Sequence, residues 1–319
     1  GAGKLGIPAA AIQRNVRGCL NLGYCGMGCP VNAKQSMLVT TVPVALDAGA
    51  TLCTRARASR LEIAGAKVEG LEIDWLDAAG LRPSGRRPRV RATHYVRSGG
   101  ASNSPALLLR SAAPDPHRLT GARTFLHPTV VSAAGFEQPV NGFSGAPQTI
   151  YSDHFLDGQP IDGPIGYKLE APPIHPVLFA TTLHGFGQGH AQRMKEFAHT
   201  HALLALLRDG FHPDSAGGRV ELRSDGSALL DYPLSAFVFD GVRRALLSMA
   251  QIQFEAGASA VHPVHERAVG YRSWPEARAA IAALPMKPLL TRIVSAHVMG
   301  GCAIAADAQR GVVGPDGVH

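Results

Sequence analysis

The chain has 319 residues, 45% of them hydrophobic, enough for one large or two medium domains with real cores. Charged residues make up 17% and the formal net charge is +7. No apolar run approaches the roughly 20 residues of a membrane span, and the densest basic run, Arg82 to Arg91, lies in a Pro/Gly-rich stretch without aromatic interleaving. We therefore expect a solvated hairpin end there and no nucleic-acid partner.

Residues 1–40 are glycine-rich and hold Cys19, Cys25 and Cys29; most of this segment reads as an irregular connecting loop. Ser36 to Asp47 predicts a helix interrupted near Pro43 and stopped at Gly49. From 52 to 97, Leu61, Ile63, Val68, Leu71 and Ile73 alternate with polar residues, so strands are expected with turns at Gly65 and Gly80. Ser104-Pro105 predicts the opening of a helix through Leu109, with proline at its first position. Further on, Val130-Val131 and Leu178 to Ala180 predict short strands. Met194–Leu207 and Val242–Phe254 carry apolar residues at helical spacing. Asp225-Gly226 between two alternating runs is a hairpin signal, and Ser273 with Glu276 predicts a capped helix through Ala283. No internal repeat is visible.

The C-terminal segment, Ser295-Ala-His297-Val-Met-Gly-Gly-Cys302, places a histidine just before two glycines, followed by Gly311-Val-Val313. Adjacent glycines let a backbone approach a planar ring closely. This segment resembles the C-terminal signature of the glucose–methanol–choline (GMC) oxidoreductases. Three further stretches are similar to that family in the same order: Cys25-Gly-Met-Gly-Cys-Pro-Val-Asn-Ala-Lys-Gln-Ser36, Arg57-Ala-Ser-Arg-Leu-Glu-Ile63, and Gly99-Gly-Ala-Ser-Asn-Ser-Pro-Ala-Leu-Leu-Leu-Arg110. Phe125-Leu-His-Pro128 resembles the family's entry into the substrate domain. The likeness is nearest to the bacterial branch of alcohol oxidases and dehydrogenases.

The resemblance implies an α/β plus α+β fold. An incomplete FAD-binding domain of the glutathione-reductase type, residues 41–113 and 286–319, would carry an inserted substrate-binding domain, residues 114–285. It implies FAD as cofactor, with Ala58, Gly100, Ala101 and Ser104 contacting it, and a small-molecule alcohol as substrate; the electron acceptor and the cellular location stay open. His297 would take the hydroxyl proton as the alcohol carbon gives hydride to the flavin, a task suited to a neutral imidazole.

Gly1-Ala-Gly3 has no strand read before it, so the family's strand-borne Gly-x-Gly-x-x-Gly turn that seats the FAD pyrophosphate is not expected here, and a second catalytic residue would lie past His319. The chain therefore reads as the interior of a longer protein, expected to be poorly soluble, colourless and inactive by itself. An alternative is a non-catalytic stand-alone binding module. Another follows from the spacing Cys19-x5-Cys25-x3-Cys29-Pro30, which is similar to that of family members that relay electrons from sugars through a three-iron cluster; buried thiols in a compact loop is the plainer reading. Zinc lacks a fourth ligand nearby. His199-x-His201, expected on a helix, and His262-x-x-His265, with only Glu266 beside it, make poor metal sites. His127 and His175 precede prolines and are expected to be structural. Tyr151 to His154 would line a substrate pocket by analogy.

Overall fold

The computed structural model describes residues 1–146, 148–158, 160–183 and 185–319. In chain order its strands are β1 (Ala10–Ala11), β2 (Ala56–Ala64), β3 (Lys67–Trp75), β4 (Arg89–Val90), β5 (Thr129–Gly135), β6 (Ile150–Ser152), β7 (Tyr167–Glu170), β8 (Thr200–Leu207), β9 (Arg219–Leu222), β10 (Ala228–Asp231) and β11 (Ala260–Pro263). The helices are α1 (Thr41–Asp47), α2 (Gly100–Arg110), α3 (His154–Asp157), α4 (Pro176–Thr182), α5 (Gln188–Lys195), α6 (Ala236–Glu255) and α7 (Trp274–Ala283). None of the described helices is long and apolar enough to cross a membrane.

The chain divides into two units, one of residues 1–47, 127–215 and 234–295, the other of 48–126, 216–233 and 296–319. These limits differ from the predicted segments. The β9–β10 hairpin, read as part of the inserted domain, belongs to the unit of 48–126, and residues 286–295 belong to the other unit.

The larger unit is built on a six-stranded antiparallel sheet in the order β1-β6-β7-β8-β5-β11. Helix α6 lies on one face. Its Val242, Ala245, Leu246 and Met249 are wholly buried among Val130 and Ala134 of β5, Ala205 and Leu207 of β8, and Val261 of β11. Ser235 caps α6 by accepting from the Val238 amide, and Ser273 caps α7 by accepting from the Glu276 amide, as its spacing predicts. The partner half of the box is displaced by one residue, since Glu276 accepts from the Arg272 amide at 2.8 Å. Inside the layer, the Ser132 hydroxyl donates to Gln253 Oε1 at 2.8 Å, and Gln253 Nε2 returns a bond to the Ser132 carbonyl at 2.9 Å. A buried amide and hydroxyl thus satisfy each other.

Two expectations fail here. Residues 200–207 form the strand β8 rather than a helix, because Leu203 to Leu207 is a continuous apolar run. The strand lies inside the sheet between β5 and β7, and periodicity in such an apolar run cannot distinguish a strand from a buried helix. His199 therefore sits in a 3₁₀ turn and His201 on a strand, not together on a helix. Conversely, Leu178 to Ala180 lie in α4, which Pro176 opens in its first turn.

The smaller unit contains the three-stranded antiparallel sheet β2-β3-β4, the β9–β10 hairpin and α2. Gly65 and Gly226 turn their hairpins with φ of 59° and 76°. A bulge interrupts β2 between Ala58 and Arg60. Asp74, nearly buried on β3, is held between Arg57 at 2.9 Å and Arg87 at 3.0 Å, so part of the basic run is internally paired. Helix α2 starts at Gly100, five residues before the predicted first position at Pro105, and carries Pro105 inside it. A proline there cannot bond the carbonyl four residues back, that of Ala101.

Candidate active site

All of the residues expected to meet FAD, Ala58, Gly100, Ala101 and Ser104, belong to the smaller unit, and so does His297. Helix α2 organises them. At its start, Gly99 donates its amide to the Ser104 hydroxyl at 3.0 Å, which fixes the entry turn, while Gly100 at φ 73° has open space where a side chain would stand. At its other end Arg110 reaches back to β2. Its Nε donates to the Ser59 carbonyl at 3.0 Å and its Nη2 to the Ala58 carbonyl at 3.3 Å, while Nη1 donates to Gly226 at 3.1 Å. Because the bulge adds a residue at Ser59, two successive carbonyls meet one guanidinium. Ala101 and Arg110 are about 14 Å apart along the helix at 1.5 Å per residue. The two ends of α2 thus separate the turn at Gly100 from the strand at Ala58, the arrangement an elongated cofactor needs.

The segment carrying His297 is stitched onto the start of this helix. Phe125 and Met299 exchange amide–carbonyl bonds of 2.8 and 2.9 Å, and Gly121 donates to the Gly301 carbonyl at 2.7 Å. Both glycines are left-handed, φ 87° at Gly300 and 74° at Gly301. A Cβ on Gly300 would stand 2.0 Å from the Arg123 carbonyl oxygen, and one on Gly301 2.5 Å from that of Ala101 and 3.0 Å from Pro105 Cγ. Gly301 thus packs at the point where Pro105 leaves the Ala101 carbonyl without its helical donor. His297 itself is exposed. Downstream, Gly311-Val-Val313 folds back on the same tail: Val312 donates to the Ala303 carbonyl at 2.8 Å, and Val313 bridges Ile304.

These residues fit one side of FAD. An exposed imidazole before two left-handed glycines and an open Gly100 leave room for a planar ring system. The Ala58 carbonyl is engaged by Arg110, so that contact is shared. Gly1, Gly3 and Gly6 have the Gly-x-Gly-x-x-Gly spacing, and Ala2–Leu5 among them forms a 3₁₀ turn in the larger unit.

The remaining candidates are distributed elsewhere. Cys19, Cys25 and Cys29 line one small pocket of the larger unit with Tyr24 and Lys34. Cys29 Sγ accepts from the Ala33 amide at 3.2 Å. Backbone amides, that of Lys34 foremost, hold its thiol below the usual range. Among the described residues, however, no three His, Cys, Asp or Glu side chains form a metal-holding group. His265 is buried, with Nε2 at 3.0 Å from the Pro285 carbonyl and Nδ1 accepting from the Arg267 amide at 3.1 Å, which assigns it a structural part. His175 occupies the N-cap position of α4 without a side-chain capping bond and meets Tyr24 edge-on, ring centres 5.5 Å apart. His127 holds a left-handed φ of 54°. Lys168 covers the Tyr151 ring at 4.2 Å, and His154 stands against Phe155 at the start of α3. Sequence reading gave Pro105 only a place at a helix start and did not single out Arg110; the parts both play depend on contacts across 50 residues and more.

Residues 1–129 match the family model described as GMC oxidoreductase. An uncharacterized GMC-type oxidoreductase of Sinorhizobium fredii is 26% identical over 305 residues, covering 95% of this chain and 56% of the relative. A long-chain-alcohol oxidase of Arabidopsis thaliana is 25% identical over 345 residues, 99% of this chain and 44% of its own. The chain therefore spans about half the length of the curated relatives it matches. Among solved structures, formate oxidase of Aspergillus oryzae superposes with a TM-score of 0.55 at 14% identity, over 82% of this chain and 52% of that one, a likeness of fold. The family model over residues 1–129 and relatives of 25–26% identity along nearly the whole chain are likenesses to the GMC oxidoreductases, and the solved structures share the fold.

Proposed function

We propose that this chain contributes the histidine-bearing part of an FAD-dependent oxidoreductase acting on CH–OH donors. The observation that carries the reading is the seating of the His297 turn. Two left-handed glycines, fixed by Arg123 and Ala101 backbone, present an exposed imidazole beside the start of α2. The alcohol oxidases among the relatives support the same reaction class.

When bound, FAD supplies the hydride acceptor. Gly100, Ala101 and Ser104 at the helix start, with the backbone of Ala58, would hold it. A ring nitrogen of His297 accepts the proton of the substrate hydroxyl, which lets the carbon release hydride. The glycine pair keeps that nitrogen at one position relative to α2, so orientation is set before the substrate arrives.

His297→Ala in the intact protein should slow flavin reduction by an alcohol at least ~100-fold, the usual contribution of a positioned proton acceptor. Reduction at the unaltered rate would sink the assignment.

A further inference from the structure

The turn that joins β3 to β4 in the smaller unit has an apolar tip, Ala78-Ala-Gly-Leu81. Ala78 and Ala79 are exposed, and Leu81 is 77% exposed. The turn is closed by its own hydrogen bonds. Asp77 Oδ1 accepts from the Leu81 amide at 2.9 Å, and the Asp77 carbonyl accepts from the Gly80 amide at 2.9 Å. The Asp77 amide donates to the Arg82 carbonyl at 2.8 Å, and Leu76 bridges Pro83. Arg55 Nη1 donates to the Ala78 carbonyl at 3.3 Å. These bonds occupy backbone polar groups on both sides of the tip, which lowers the cost of moving it out of water.

Guanidinium groups surround that tip. Arg55, Arg82 and Arg86 are exposed and have no carboxylate partner among the described residues. Further down the hairpin, Arg57 and Arg87 share the single carboxylate of Asp74, at 2.9 and 3.0 Å, which leaves one more positive charge. Asp77 is the opposing charge at the tip. Turn amides, that of Leu81 foremost, take up its carboxylate and hold its pKa below the usual range. The tip therefore carries a net charge of about +3, and residues 78–114 contain no Asp or Glu. Trp75, 36% exposed, stands at the foot of the turn, its amide bonded to the Arg86 carbonyl at 3.0 Å. Tryptophan favours the boundary between an apolar and a wet layer.

An apolar tip, arginines beside and behind it and a tryptophan at its base follow the order of layers at a membrane surface: acyl boundary, headgroup phosphates, water. A nucleic-acid backbone would engage the arginines but offers Leu81 no apolar layer. We infer that the tip of the β3–β4 hairpin docks peripherally on an anionic lipid surface, Leu81 entering the acyl boundary while Arg55, Arg82 and Arg86 pair with headgroup phosphates. This docking is independent of the His297 assignment, and its test does not read flavin reduction.

The test is flotation of the intact protein with vesicles of phosphatidylcholine, either alone or with about one-third phosphatidylserine. Each arginine near an anionic surface strengthens partition about fivefold, so a net charge of about +3 should favour the anionic vesicles roughly 100-fold. Raising salt from about 0.1 to 1 M, which shortens the Debye length from about 10 to 3 Å, should remove that preference. Arg82→Gln combined with Arg86→Gln should weaken binding about 25-fold. Arg278→Gln, which removes an exposed arginine of α7 in the larger unit, should leave it unchanged. Leu81→Ala should weaken binding at least about tenfold. Trp75 emission should shift to the blue on anionic vesicles and be quenched by brominated acyl chains. Absence of binding to anionic vesicles, or binding unchanged by Leu81→Ala, would overturn the proposal. Tighter binding to a DNA duplex than to vesicles, insensitive to Leu81→Ala, would assign the arginines to nucleic acid and overturn it as well. Should a variant misfold, absence of quenching by brominated lipid in the unaltered protein overturns it equally.

Discussion

Replacing Gly300 or Gly301 with alanine tests whether the glycine pair sets the position of His297. Alanine in the left-handed region costs roughly 1–2 kcal/mol by itself. The added Cβ would stand 2.0 Å from the Arg123 oxygen at position 300 and 2.5 Å from the Ala101 oxygen at position 301. Both neighbours are backbone, so neither can rotate away. Ordinary carbon contacts lie at about 3.5 Å or more, so the segment must move by roughly 1 Å or more. Such a displacement of a catalytic group can cost about 100-fold in rate. We therefore expect each variant of the intact protein to unfold at lower denaturant, by about 1–3 kcal/mol. Each should also reduce flavin with alcohol about 100-fold more slowly, measured anaerobically in a stopped-flow spectrometer. Gly65→Ala is the control, because Gly65 is also left-handed at φ 59° but has nothing within 4 Å of the added Cβ. It should lose stability only, with flavin reduction unchanged. Normal flavin reduction and normal stability in Gly301→Ala would refute the argument.

Gln253→Leu should destabilise the protein by about 1–3 kcal/mol in urea unfolding, because it strands the buried Ser132 hydroxyl and carbonyl. Adding Ser132→Ala should recover part of that loss, and strict additivity would show that the pair is not coupled. Burial pushes the pKa of His201 down, and its Nδ1 is buried without a hydrogen-bond partner. The unfolded chain then binds more protons than the folded one, so stability is full above the unfolded histidine value of about 6.5 and falls as pH drops from there toward the lowered folded value. His201→Phe should flatten that acid slope in pH-dependent melting, and an unchanged slope would exclude His201 as its source. Cys29, its thiol held low by backbone amides, should alkylate with iodoacetamide ahead of Cys302, whose thiol burial pushes up. Peptide mapping showing the reverse order would contradict both environments.

Local chemistry was legible in the sequence wherever a residue's part is decided within a few positions of itself. The Asp225-Gly226 hairpin, the Ser273 cap and the helix around Val242–Phe254 depend on turn geometry, capping and helical spacing, and all stand in the structure. The likeness of Ser295–Cys302 to a family signature likewise pointed to His297 without reference to its surroundings. Tertiary structure decided the rest. Residues 200–207 became a strand because β5 and β7 flank them, which no period in an apolar run can reveal. Helix α2 continues through Pro105, and the carbonyl that proline leaves without a helical donor lies against Gly301, some 200 residues away in sequence. Arg110 joins Ala58, Ser59 and Gly226 because a bulge turns two carbonyls toward it. Turns and caps are settled by the energies of neighbouring residues, whereas a three-carbonyl clamp exists only when distant segments arrive together.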